Sequence, residues 1–155
     1  MPFLETVCRL HTACSSYVGR VTAAGNASHT LQPPLAAPHD QFVLPERYTS
    51  ISRIFTYALV TGMDRNDFEL SDLPSLLRSS AFTIYLDDIP ERDTRKQTCT
   101  DKWLDGLDDS EVVVLNVRPD GYVGTLRRFA DGSRETGQVA VQWMDEYFER
   151  FMKET

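Results

Sequence analysis

The sequence lacks most of what a self-sufficient redox enzyme or a metalloenzyme needs. Its eight glycines are scattered, with Gly19, Gly25 and Gly62 isolated, and no GxGxxG run opens a helix. Without that cradle nothing places a pyrophosphate on a helix N-terminus, so no flavin or nicotinamide cofactor is expected. Cysteine is sparse: Cys8, Cys14 and Cys99 form neither a CxxC pair nor ligand doublets, and an odd count suits a reducing compartment. The only imidazoles are His11, His29 and His39, and no zinc site is expected of them. Basic residues are outnumbered, 16 against 23 acidic, for a net charge of −7. That balance argues against nucleic acid, whose phosphates call for clustered Lys and Arg. No apolar run reaches membrane-spanning length, and Glu5 and Arg9 interrupt the N-terminal segment where a signal peptide would be apolar. The expectation is a cytoplasmic protein with no membrane contact, in which the Asn26-Ala27-Ser28 sequon carries no meaning.

What is present is globular. Hydrophobic residues make up 41% and aromatics 10% of 155 residues, a length suited to one core, so the whole of 1–155 is read as a single domain. Residues 3–14 put Phe3, Leu4, Val7, Leu10 and Cys14 at helical spacing, with Glu5 early and Arg9 late as the helix dipole prefers. Residues 17–23 alternate weakly, as a strand would. Pro33, Pro34, Pro38 and Pro45 then impose a long loop, which closes an N-terminal part, 1–49, made of helix, strand and proline-rich loop. A core over 50–155 follows. Its first element, 50–62, reads as a strand from Ile51, Ile54, Phe55, Tyr57 and Val60.

Ser71 followed by Asp72-Leu73-Pro74 looks like the capped opening of a short helix carrying Leu73, Leu76 and Leu77 inward. Residues 81–86 alternate as a half-buried strand and end at Asp87-Asp88; after a polar stretch, Thr100 is placed to cap a turn bearing Trp103, Leu104 and Leu107, weakened by Gly106. Residues 111–117, Glu-Val-Val-Val-Leu-Asn-Val, read as a central strand covered on both faces. Pro119-Asp120-Gly121 supplies the turn joining it to 122–129 in an antiparallel hairpin. From Ser133 or Glu135 to Lys153, Val139, Ala140, Trp143, Met144, Tyr147, Phe148, Phe151 and Met152 recur three and four apart, giving a long amphipathic helix. The implied class is α/β, a mixed sheet with helices on its faces that ends in a β-hairpin and a long helix.

Four stretches carry a family resemblance: Ser71-Asp72-Leu73-Pro74, Tyr85-Leu86-Asp87-Asp88, Asp93-Thr94-Arg95 and, most specific, Val117-Arg118-Pro119-Asp120-Gly121-Tyr122-Val123-Gly124. With Tyr17-Val18-Gly19-Arg20 as a lead-in, the chain resembles the C-terminal domain of flavin-dependent aromatic hydroxylases of the phenol hydroxylase type. The resemblance implies a thioredoxin-like fold without the redox cysteine pair, and dimer contacts. No flavin-contacting residue of a complete hydroxylase carries over, because the glycine loop is absent.

Three functional readings follow. The first is a stand-alone auxiliary or interaction module in the oxidation of aromatic metabolites, forming a homodimer or associating with a flavin monooxygenase. The second is a small cofactor-independent enzyme, an isomerase, cyclase or hydrolase, acting on an aromatic or quinone-like molecule. Its candidate catalytic residues are His29 and His39 in the proline-rich loop as general bases, Asp87 and Arg95 in an acid/base cluster with Asp88, Asp93 and Asp101, and Arg118 as a carboxylate clamp. The third is a fragment of a larger monooxygenase. A closed apolar pocket with convergent polar groups would favour the enzyme, and a solid core the module.

Overall fold

The computed structural model describes residues 2–28, 55, 57–78, 84–89, 97–118 and 120–150. Helix α1 (Pro2–His11) carries Glu5 in its first turn and Arg9 and His11 in its last, and buries Phe3, Thr6, Cys8 and His11. The weakly alternating segment after it is not a strand. It is helix α2 (Tyr17–Ser28). Ser16 explains the change, because its Oγ accepts the Gly19 backbone N–H at 2.9 Å and so satisfies a donor at the helix start. Tyr17 and Val18 are both buried there. The proline-rich loop and most of the strand expected over 50–62 lie outside the described residues.

Strand β1 (Leu59–Thr61) pairs in parallel with β2 (Ile84–Leu86), in the register Leu59 to Ile84, Val60 to Tyr85 and Thr61 to Leu86. Between them a 3-10 turn over Leu70–Asp72 precedes the short helix α3 (Ser75–Arg78). The helix expected to open at Ser71 is thus split in two. Leu73 stands in extended backbone at φ −79°, ψ 151°, since the ring of the following Pro74 excludes the helical region for its predecessor. Leu73 and Leu77 are nonetheless buried with Cys8, against Leu4, Tyr57, Leu59, Phe68, Leu76 and Ile84.

Helix α4 (Cys99–Leu104) is capped by Thr98, not Thr100. The Thr98 hydroxyl accepts the Asp101 N–H, and the Asp101 side chain accepts the Thr98 N–H. With the start moved back two residues, Leu104 is buried while Trp103 turns outward, and Gly106 falls beyond the helix end.

Strands β3 (Val112–Val117) and β4 (Val123–Phe129) form the antiparallel hairpin, with a bulge between Asn116 and Val117. Its turn is closed by Arg118 N–H donating to the Tyr122 carbonyl at 2.8 Å, and Gly121 takes φ 83°, a left-handed conformation that favours glycine. The near-complete burial expected of β3 is not found: four of its six residues are half-buried and Val117 is exposed. One face, with Val112, Val114 and Phe129, packs on helices. On the other, Arg128 meets the end of α4, its guanidinium donating to the Leu104 and Gly106 carbonyls.

Helix α5 (Arg134–Glu149) is capped by Ser133, which accepts the Thr136 N–H at 3.1 Å. Gly137, Ala140, Val141 and Met144 fall on its buried face at helical spacing. The main cluster joins Phe3, Phe129, Ala140, Val141 and Met144, with the Phe3 and Phe129 rings 6.0 Å apart. The start of α1 is tied to the turn before α5: Phe3 N–H donates to the Gly132 carbonyl at 3.1 Å. A Cβ on Gly137 would stand 3.0 Å from Thr6 Cβ and 3.1 Å from the Phe3 carbonyl oxygen, so the bare backbone there lets α5 lie against α1. The fold is α/β, with a parallel pair and an antiparallel hairpin and a long C-terminal helix. Among the described residues no ladder joins the two sheets.

Candidate functional site

The two aspartates that end β2 point to different partners, as neighbours on a strand must. Asp87 accepts the backbone N–H groups of Cys99 at 3.1 Å and Thr100 at 2.5 Å, so its carboxylate closes the start of α4 beside the Thr98 cap. Partial burial alone would raise its pKa. The bonds from Thr100, Cys99 and Thr98 outweigh that and hold it below the ordinary value. Asp88 instead takes a two-pronged grip from Arg65, Nε at 2.8 Å and Nη2 at 2.9 Å, with the Arg65 N–H at 3.2 Å. That guanidinium keeps the Asp88 carboxyl at about 2. Asp101 belongs to the capping box, and Asp93 and Arg95 lie outside the described residues. The structure therefore ties the acidic residues it describes here to helix starts and to an arginine.

Arg118 folds back on its own turn. Its Nη2 meets Asp120 Oδ2 at 2.6 Å, and Asp120 Oδ1 accepts the Tyr122 N–H at 3.3 Å. Both partners are exposed. His29 and His39 lie outside the described residues.

The sequence reading missed a buried polar cluster between the helices. His11 is only 4% exposed, and among the described residues neither ring nitrogen has a hydrogen-bond partner. Its ring stands 5.4 Å from the Tyr57 ring at 55°. Burial drives its pKa down to about 4, against a smaller upward pull from Asp145. Burial likewise pushes the Cys8 thiol up to about 11 and raises Tyr57 above its usual range, with Cys8 and Asp145 adding to the latter. At neutral pH the cluster is thus a neutral imidazole, a thiol and a phenol, while Asp145 Oδ1 accepts the Val18 N–H at 3.1 Å. A signal existed: His11 follows Cys8 by three residues and Leu4 by seven, on the buried face of α1.

Among the described residues two open grooves stand out, one of about 370 Å³ between the α1–α2 turn and α5, lined by Ser16, Gln142, Asp145 and Glu146, the other of about 540 Å³ between α1 and α3. Neither gathers the predicted catalytic residues. Among the described residues no group of three or more His, Cys, Asp or Glu is arranged to hold a metal ion, and no helix is long and apolar enough to cross a membrane.

A family model described as the phenol hydroxylase C-terminal dimerisation domain matches residues 14–155, and the chain belongs to that family. No solved structure matches it.

Proposed function

We propose that this member of the phenol hydroxylase C-terminal dimerisation family works as an association module, a cytoplasmic protein of one domain that forms a homodimer or joins a flavin-dependent hydroxylase in the oxidation of aromatic metabolites. The observation that carries the reading is the family match across 14–155. The local engagement of Asp87, Asp88 and Arg118 in caps, an ion pair and a turn supports it, since groups so occupied hold structure together. We read the core as thioredoxin-like: a parallel β-α-β pair, then a helix, an antiparallel hairpin and a closing helix follow one another in that order. The second reading, a cofactor-independent enzyme on an aromatic or quinone-like molecule, would rest on His29, His39 and Arg95 together with Asp87 and Arg118.

Sedimentation of the purified chain tests the proposal. A reversible dimer is the expected result. A monomer at every concentration that also fails to co-sediment with an aromatic hydroxylase would overturn it.

A further inference from the structure

Helix α1 lies in a valley wider than itself. Along one edge runs the groove of about 370 Å³ toward α5, lined there by Leu10 and Val141, and along the other the groove of about 540 Å³ toward α3, lined by Arg9 and Leu76. The floor is apolar, with Phe129, Ala140 and Met144 clustered under Phe3 and with Leu73 and Leu77 under Cys8. It also admits a helix backbone closely: a Cβ on Gly137 would meet Thr6 Cβ at 3.0 Å and the Phe3 carbonyl oxygen at 3.1 Å.

The hold on α1 is nonetheless imperfect. Its last residue, His11, is buried with both ring nitrogens unpartnered among the described residues, so seating the helix strips two polar atoms of water without replacing the lost bonds. Ten residues are too few for a helix to persist away from a surface that packs it. The family match begins at residue 14, which leaves α1 outside it.

We infer that α1 is a latch: it leaves its seat as a unit in a small fraction of molecules while the rest of the fold stays closed, and the open seat receives an amphipathic helix of a partner protein, edged with Lys or Arg on its α5 side. This deepens the association reading above and rests on it. The close approach at Gly137 selects a helix with a small residue in the place of Thr6, and the ring of Phe129 selects an aromatic in the place of Phe3. Charge selects the edge. Asp145, Glu146 and Glu149 line the groove beside α5, and no Lys or Arg stands among its described lining residues, where α1 supplies Leu10. A lysine at that place keeps its stem on Val141 and carries its ammonium to the carboxylates. The partner's apparent affinity is then its intrinsic affinity reduced by the fraction of open latch.

Hydrogen exchange on the full chain reads the latch directly. Amides from Thr6 to His11 should exchange ~10-fold or more faster than those from Ala140 to Met144, with a weaker dependence on urea, as a local opening requires. Equal rates with equal urea dependence would mean that α1 leaves only when the whole domain unfolds, and the latch falls. His11→Phe should slow exchange in α1 alone, and Phe3→Ser should speed it; Leu4→Ser replaces the latter if its melting curve is lost. A fluorescent peptide copying residues 2–12 then probes the seat. It should bind the loosened chain more tightly than wild type by the same factor as α1 exchange is accelerated, and its Leu10→Lys form should bind more tightly still, at low salt only. A peptide that does not prefer the loosened chain refutes the docking seat, and a missing lysine effect refutes the basic edge. A chain that dimerises or joins a hydroxylase while α1 and α5 exchange together loses the latch and keeps the association reading. One whose latch opens but which does neither loses the association reading alone.

Discussion

The imidazole of His11 stands 5.4 Å from the ring of Tyr57, buried at the end of α1 with both nitrogens unpaired among the described residues. The pair is packed as an aromatic contact, and the histidine is held in the form least suited to acid.

Stability should consequently fall as acid is added. A histidine with a folded pKa of about 4 and an unfolded value near 6.5 leaves the unfolded chain binding more protons between those limits. The contribution is fully present above about pH 6.5 and is lost as pH falls toward 4, by as much as ~3 kcal/mol. Urea unfolding at stepped pH should show that slope, and His11→Phe should flatten it. An equal slope in the variant would assign the acid sensitivity elsewhere.

Thiol reactivity should divide two to one. Cys14 and Cys99 are exposed, whereas Cys8 is buried with its pKa raised to about 11, which starves it of thiolate. Ellman's reagent at pH 8 should titrate two thiols promptly and the third only with denaturant. Three prompt thiols would mean α1 opens readily.

Asp87→Ala should cost ~1 to 2 kcal/mol by stripping the start of α4 of its carboxylate acceptor. Because the pKa of Asp87 is lowered by folding, its stabilisation is present above the ordinary carboxylate range and disappears as pH falls below it. Chemical denaturation at neutral pH and in acid checks both points. A loss that persists unchanged in acid would contradict the cap.

Val114→Asp and Asp120→Asn should behave oppositely. The first sets a carboxylate against Phe129 and α5 and should cost several kcal/mol, enough to unfold or aggregate a domain of ordinary stability. The second loosens an exposed ion pair within a turn and should shift stability by less than ~1 kcal/mol. Comparable melting curves for the two would refute this assignment of inside and outside.

Purified protein should be colourless and should bind neither FAD nor NADPH, since no glycine-rich turn precedes a helix. Titration calorimetry at micromolar protein decides it, and measurable flavin uptake would reverse the expectation.

The elements most legible in the sequence were those governed by neighbours along the chain. The α5 periodicity and the tight turn that joins β3 to β4 needed no knowledge of distant residues. Where a choice depended on tertiary partners, it failed or went unseen. The alternation after Tyr17 gave way to a serine cap, Leu73 yielded to the proline behind it, and the apolar run of β3 gave no hint that one face would stay open. The service of Asp87 at the start of α4 went unseen because that helix begins twelve residues later.

The contact of Gly137 with Thr6 and Phe3, reinforced by the bond from Phe3 to Gly132, bears on the order in which the chain can fold. Helix α1 leaves the ribosome with its apolar face prepared, yet α5, which receives part of it, is synthesised far later along the chain. Closing so long a loop is slow, and the side of α1 that faces α5 stays uncovered until α5 exists. Until then Phe3 remains available to chaperones, and a ribosome stalled before Gly137 holds a helix covered only on the side that meets Leu73 and Leu77.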